Sequence, residues 1–396
     1  MQKPLENIRV LDMSRVLAGP FCTMILSDLG AEVIKVEVPL TGDDARSFGP
    51  FKNQQSLYFL SINREKKSIS LNLKTERGKQ IFLDLVKHFD VLVENFRPGT
   101  MEKLGLGYDV LKEVNPGLIY AASSGYGHSG PDSKKASYDI LAQAMGGIMS
   151  ITGWPDSPPT RVGMSLGDIT ASLYAAIGIL AALQQRNHTG IGQKVDVSML
   201  DCQVSILENA ITRYQVDGKS PGPIGNRHPT IAPFQAFKAK DGYFVIACGN
   251  NSLWQKLCEA IERKDLSLNR AFETNELRCR NLDALTDELN MTFSRQNVAH
   301  WVALIDGAGV PCGPINTIEK VLAEPQVRAR NMVVSVEDKK AGRVEIAGNP
   351  IKMSAMEDLA TRGPAPDIGQ HNTEVLGGIL GLTDEEIAVL HRDGVL

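Results

Sequence analysis

One carboxylate stands out by its neighbours. Asp168, in Ser165-Leu166-Gly167-Asp168-Ile169-Thr170-Ala171-Ser172, borders a stretch from 169 to 185 that carries no charge. Aspartate is a favoured helix N-cap, and the dipole of a following helix stabilises its charge. A carboxylate beside a glycine and an apolar helix is equally suited to nucleophilic attack, because glycine leaves space for a bulky partner. The residues alone leave both readings open. Other chemistries lose support. The chain lacks a Walker A sequence and an H-E-x-x-H pair, the signatures of phosphate-loop and zinc-protease sites. Seven histidines include no pair at metal-ligating spacing, and six cysteines include no C-x-x-C. No metal site is expected, and the cysteines are expected as free thiols in a reducing cytoplasm. Gly125-Tyr126-Gly127-His128-Ser129-Gly130 matches the dinucleotide fingerprint and follows a strand. Pro131-Asp132 stands where a helix should open, so a glycine-rich turn is expected there instead.

The frame for these residues is α/β. Apolar runs at 8–12, 33–37, 68–73, 91–94, 118–122 and 193–198 are expected as strands. Helical patterns lie between them, one opened by Gly19-Pro20, one started by Thr75, one over 108–114. Such alternation predicts a mostly parallel sheet covered on both faces, with ligands beyond the carboxyl ends of the strands. The turn-rich run Asp217-Gly218-Lys219-Ser220-Pro221-Gly222-Pro223 marks a linker into a smaller α/β unit. A helix near 318, a strand pair near 331–347 and a last helix near 373–380 complete the pattern. The balance of 42 basic against 46 acidic residues, net −4, offers no basic excess for nucleic acid. With 43% hydrophobic and 22% charged residues the composition excludes a disordered chain. The aromatic share is only 6%, which points to a core of small and branched aliphatics. The uncharged run at 169–185 is expected as a buried core helix rather than a membrane span. A strand beginning at Ile8 leaves no room for a signal peptide, so a cytoplasmic location is expected.

Four collinear segments carry a resemblance: Val16-Leu17-Ala18-Gly19-Pro20-Phe21, Asp28 through Glu37, Val93-Glu94-Asn95-Phe96-Arg97-Pro98-Gly99, and Thr189-Gly190-Ile191-Gly192-Gln193. They resemble the class III CoA-transferases, the family of formyl-CoA and carnitine-CoA transferases. Further segments, Gly42 through Pro50, Ala232 through Lys238, Ala247 through Asn251 and Gly309 through Asn316, resemble the family's succinyl-CoA:glutarate (hydroxymethylglutarate) group. The resemblance implies a discontinuous Rossmann-like large domain (1–216 and 322–396), a small domain (226–316) and linkers at 217–225 and 317–321. It further implies an interlocked, ring-like homodimer. No permanently bound cofactor, nucleic acid or membrane is expected; the partners are an acyl-CoA thioester and a small carboxylic acid.

The family's nucleophile falls on Asp168. The implied chemistry runs through an aspartyl mixed anhydride and an aspartyl-CoA thioester. CoA contacts carried over are Val16, Ala18, Leu71, Asn95, Phe96, Lys103 and Tyr138, with Lys35 and Lys135 as further phosphate partners. A dicarboxylate acceptor is expected, its distal carboxylate met by Arg46, Arg227 or the Gly249-Asn250-Asn251 segment. The sequence departs from the family in three places. Leu17 replaces the glutamine of formyl-CoA transferases, Val38 replaces an adenine-side arginine, and Cys248-Gly249-Asn250-Asn251 replaces a glycine run. The competing readings are a carnitine-type transferase, an α-methylacyl-CoA racemase and a non-catalytic CoA-ester-binding paralogue. The racemase needs a histidine where this chain has Tyr138.

Overall fold

Short aliphatic runs build the sheet at the centre of the fold. In the computed structural model, which describes residues 3–396, these runs are β1 (Arg9–Asp12), β2 (Glu32–Glu37), β3 (Lys67–Ser70), β4 (Val91–Glu94), β5 (Ile119–Ser124) and β6 (Lys194–Ser198). All pair in parallel, in the order β3-β2-β1-β4-β5-β6. Alternate residues serve opposite faces. Leu11 and Leu92 enter one buried cluster, whereas Val10, Val91 and Val93 enter the other. Both faces are therefore apolar, as a sheet sandwiched between helices requires.

The first cluster is closed by α2 (Glu76–Val86), α3 (Tyr108–Val114) and α6 (Asp384–Arg392) through Ile81, Phe82, Leu85, Leu111, Ile387 and Leu390. Thr75 caps α2, accepting from the Gly78 N–H. The opposite face is covered by α1 (Ala18–Asp28) and α5 (Leu166–Thr189). α5 is long and apolar enough to span a membrane by length and composition. Instead, Ala175, Ala176, Ile179, Ala182 and Leu183 lie in the sheet's core cluster. No aromatic ring lies among the described residues of that buried cluster, because alanine-rich helices sit too close to the sheet to leave room for one.

The chain divides into two compact units. The first takes the residues up to Met149, Arg161–Lys219 and Pro325–Leu396; the second takes Ser150–Thr160 and Ser220–Glu324. Residues 150–160, expected in the large domain, thus belong to the smaller unit, where the Gly225 N–H donates to the Gly153 carbonyl at 2.8 Å. The stretch 317–321, expected as a linker, begins the helix Ile318–Ala323 capped by Thr317. The second unit holds an antiparallel sheet of Phe234–Lys238, Tyr243–Ala247 and Cys312–Pro314. Its core concentrates the chain's scarce aromatics, with Phe293 at 5.1–5.4 Å from the rings of Phe237, Phe244 and Trp301.

The C-terminal end differs from expectation. The expected last helix is a short π-turn at Thr373–Gly377 followed by Gly378–Leu380. α6 was not foreseen, although Thr383 and Glu386 form a capping box at its start, a pattern visible in the sequence.

Candidate active site

The strand order reverses between β1 and β4, neighbours in the sheet but far apart in the chain. Open parallel sheets bind ligands beyond the carboxyl ends of such a pair. Here β1 runs into Met13–Leu17 and β4 into Asn95–Pro98, and two cavities open along these loops. The smaller, about 220 Å³, is lined by Val16, Ala18, Asn95, Phe96, Ser123, Ser124, Lys135, Tyr138 and Asp168 with their neighbours. The larger, about 690 Å³, is lined by Val38, Leu71, Lys74, Phe96, Lys103 and His391 among others. Arg15 and Phe96 line both, with the guanidinium 5.3 Å from the ring centroid. The larger cavity has the volume of a small-molecule site.

Asp168 lies in the first turn of α5, inside the helix rather than at its cap. The N-cap, Ser165, contributes no side-chain capping bond. Capping falls to Asp139, which begins α4 (Asp139–Met145): its Oδ1 accepts the Gly167 N–H at 2.8 Å. Arg161 Nε and Nη2 both donate to Asp139 Oδ2 at 3.1 Å, and Gln143 Nε2 donates to both its oxygens. Gly167 makes this possible, since a Cβ there would come within 3.2 Å of Asp139 Oδ1. With the helix end satisfied by another residue, the half-buried Asp168 carboxylate accepts no hydrogen bond from the described residues.

Burial pushes the Asp168 carboxyl up to about 7, with the Asp139 charge adding to the rise and Arg161 opposing it. The positive end of the α5 dipole favours the ionised form. Tyr58 is pushed up to about 12 by burial and then by the charges of Asp168 and Asp43; its phenol keeps its proton. At the start of α1, Leu17 contributes no side-chain cap. Gly19 is required there, because a Cβ would fall 2.1 Å from Ser14 Cβ. An unpaired carboxylate, peptide N–H groups at a helix start and a partly closed cavity together suit attack on an activated carbonyl.

The structure brings Val16, Ala18, Asn95, Phe96, Lys135, Tyr138 and Asp168 to one cavity, and Leu71, Lys103 and Phe96 to the next. Lys135 is exposed and paired with Asp132 at 2.7 Å. Two expectations need correction. Lys35 cannot meet a phosphate: its side chain is buried, ion-paired to Asp43 at 2.8 Å and donating to the Ser14 carbonyl at 2.7 Å. Arg46 forks onto Glu37 at 2.6 and 2.8 Å and lines a separate cavity with Gln54, Lys340 and Asp367.

Arg227, Gly249, Asn250 and Asn251 belong to the second unit. Arg227 is exposed. The Asn250 side chain caps the helix Asn251–Ala260, and Asn251 Oδ1 accepts from Arg278 at 2.9 Å, so both amides already have structural partners. Arg15, Asp139, Arg161, Ser123 and Ser124 were not foreseen. The Asp139–Gln143 spacing of one helical turn was the only hint in the sequence. All six cysteines are free. Among the described residues no cluster of three or more His, Cys, Asp or Glu could hold a metal.

A family model for CoA-transferase family III matches residues 5–372. Acetyl-CoA:oxalate CoA-transferase of Acetobacter aceti is 46% identical over 368 residues, 93% of each chain. Succinyl-CoA:glutarate CoA-transferase of Homo sapiens is 41% identical over 395 residues, spanning 100% of this chain and 90% of that one. The crystal structure of a CAIB/BAIF family protein from Brucella suis superposes with a TM-score of 0.85 at 38% identity, covering 96% of this chain and 100% of that one. The chain belongs to CoA-transferase family III, and it is an acyl-CoA transferase.

Proposed function

We propose that the protein moves CoA from a donor thioester such as succinyl-CoA to a free dicarboxylate, in the cytoplasm, with Asp168 as nucleophile. The observation that carries this reading is the Asp168 carboxylate, which lines the smaller cavity and accepts no hydrogen bond from the described residues. Its oxygen attacks the thioester carbonyl, giving an aspartyl mixed anhydride and CoA thiolate. The thiolate attacks the aspartyl carbonyl, releasing the donor acid and leaving an aspartyl-CoA thioester. The acceptor carboxylate reverses both steps. Ala18 and Gly19 N–H groups are the candidate donors to the tetrahedral oxyanions. The nucleotide end of CoA occupies the larger cavity, where Lys103, Lys74 and Arg15 are cations on the lining and Val38 supplies apolar contact. Relatives named for oxalate and glutarate support a dicarboxylate acceptor.

The working form in this reading is an interlocked homodimer. Support comes from exposed apolar side chains on helices that pack together: Ile140, Leu141 and Met145 on α4, and Leu173, Tyr174 and Ile177 on α5. Ile177 is 61% exposed. Such a concentration marks a protein contact.

The test incubates the protein with succinyl-CoA and no acceptor, adds hydroxylamine, and examines the Asp168 peptide by mass spectrometry. An aspartyl hydroxamate is expected. Its absence with succinyl-, acetyl- and glutaryl-CoA, together with full exchange activity in Asp168→Ala, would overturn the assignment. Better turnover of carnitine than of any dicarboxylate would overturn the acceptor class.

A further inference from the structure

Val16 lines the smaller cavity with Asp168, and its backbone is left-handed, φ +63°. For a β-branched residue that conformation is strained and persists only where its surroundings impose it. Those surroundings are visible. The Val16 N–H donates to Asp43 Oδ1 at 3.0 Å. The other Asp43 oxygen pairs with Lys35 Nζ at 2.8 Å, and Lys35 in turn donates to the Ser14 carbonyl at 2.7 Å. On the far side Asn95 receives the Arg15 N–H at 2.7 Å and returns a bond to the Arg15 carbonyl at 2.8 Å. The strained peptide is gripped at both ends, and the Lys35 and Asp43 side chains are each only 1% exposed.

A buried ion pair is a poor source of stability, because desolvating both charges offsets most of their attraction. Its worth here is geometric. Burial alone would drive Asp43 toward its neutral form, but the Lys35 charge, together with hydrogen bonds from Lys35 and the Ala45 and Val16 peptides, outweighs it and holds the carboxyl below the usual range. The ionised Asp43 can therefore accept from two peptide N–H groups, of Val16 and Ala45, while facing an ammonium.

We propose that Lys35 and Asp43 are positioning residues for acyl transfer, holding the Val16 peptide in its strained conformation on the wall of the cavity that Asp168 also lines. The inference rests on the reading of Asp168 as the nucleophile. An asparagine at 43 can satisfy the peptides or the lysine but not both, since it has one acceptor oxygen.

The test is a double-mutant cycle of Asp43→Asn and Val16→Gly, reading kcat for CoA exchange, KM for the acyl-CoA and thermal stability separately. Glycine adopts positive φ without the steric penalty, so it removes the need for the brace. Asp43→Asn is expected to lower kcat by about tenfold or more, the rate equivalent of that backbone strain, with a smaller change in KM. In the Val16→Gly background the same change is expected to cost only about threefold or less, a non-additivity that a purely structural Asp43 would not produce. Equal losses in both backgrounds overturn the proposal. If Asp43→Asn does not fold, Lys35→Met is carried through the same cycle, with the same two outcomes. Hydroxylamine trapping on the unsubstituted protein separates the two levels. An Asp168 adduct with an additive cycle overturns the brace alone, whereas no adduct overturns the nucleophile and the brace with it.

Discussion

Replacing Asp168 by asparagine is expected to abolish transfer and at the same time stabilise the fold, in a pH-dependent way. The native carboxyl is raised from its ordinary 3.8 to about 7 by burial and by Asp139, with only Arg161 opposing. A group whose folded pKa is raised in this sense loses its proton more readily in the unfolded chain. Stability therefore falls as pH climbs from about 4 to about 7, and is constant beyond. At 1.36 kcal/mol per pH unit the full shift corresponds to about 4 kcal/mol. Two features of the structure reduce that figure: the carboxylate is only half-buried, and it sits in the first turn of α5, whose dipole favours its charge by about 0.3–1 kcal/mol.

A gain of about 1–3 kcal/mol at pH 8.5 is the expectation for Asp168→Asn, shrinking toward zero below pH 5. For a unit of this size each kcal/mol moves the melting temperature by about 2–4 °C. Thermal unfolding of both proteins across pH 5 to 8.5 measures it, alongside CoA-exchange rates, which should drop by about 10³-fold or more on loss of a covalent nucleophile. A variant that is less stable at pH 8.5, or whose difference from wild type does not change with pH, would refute the electrostatic reasoning. Persistent exchange activity would refute the chemistry.

Arg161→Gln removes the cation that opposes the Asp168 shift and its two bonds to Asp139 Oδ2; the acid limb of the pH–rate profile should move to higher pH, with lower rates at pH 7. Glu94, buried beneath the Phe96 loop, is pushed up to about 7 by burial, against hydrogen bonds from the Phe96 N–H and the Tyr120 hydroxyl. Its ionisation costs stability between about pH 4.5 and 7. Glu94→Gln keeps an oxygen for the Phe96 N–H and should be more stable by about 1–2 kcal/mol at pH 8 but not at pH 5, read by urea unfolding. Phe96→Ala removes the wall shared by both cavities and the partner of Arg15. It should raise KM for the acyl-CoA by about tenfold with little change in kcat, in steady-state kinetics.

Local patterns were enough for much of the frame. Continuous apolar runs such as Val10-Leu11 and Val91-Leu92-Val93 announce strands buried on both faces, and Thr75 announces a helix start, because these depend on residues a few positions apart. The helix boundary at Asp168 was harder. Aspartate before an uncharged run looks like a cap, and nothing within ten residues says that Asp139, in a different helix, has taken the capping role. Lys35 and Arg46 were misplaced for a related reason. A lysine or arginine is written the same way whether it faces solvent or a buried carboxylate, and only the packing of β2 against the 43–46 segment pairs them with Asp43 and Glu37.

By itself, then, the sequence determined the alternation of strands and helices, the exclusion of zinc-protease and phosphate-loop signatures, and the likeness that singled out Asp168. The low aromatic content also pointed to the small-residue core, since side-chain volume sets how closely helix and sheet approach. Tertiary structure decided which groups face that carboxylate, which cations remain open to a ligand, and why Val16 holds an unfavourable backbone. Burial and hydrogen-bond competition act between residues distant in the chain, so they appear only once β1 and β4 lie side by side.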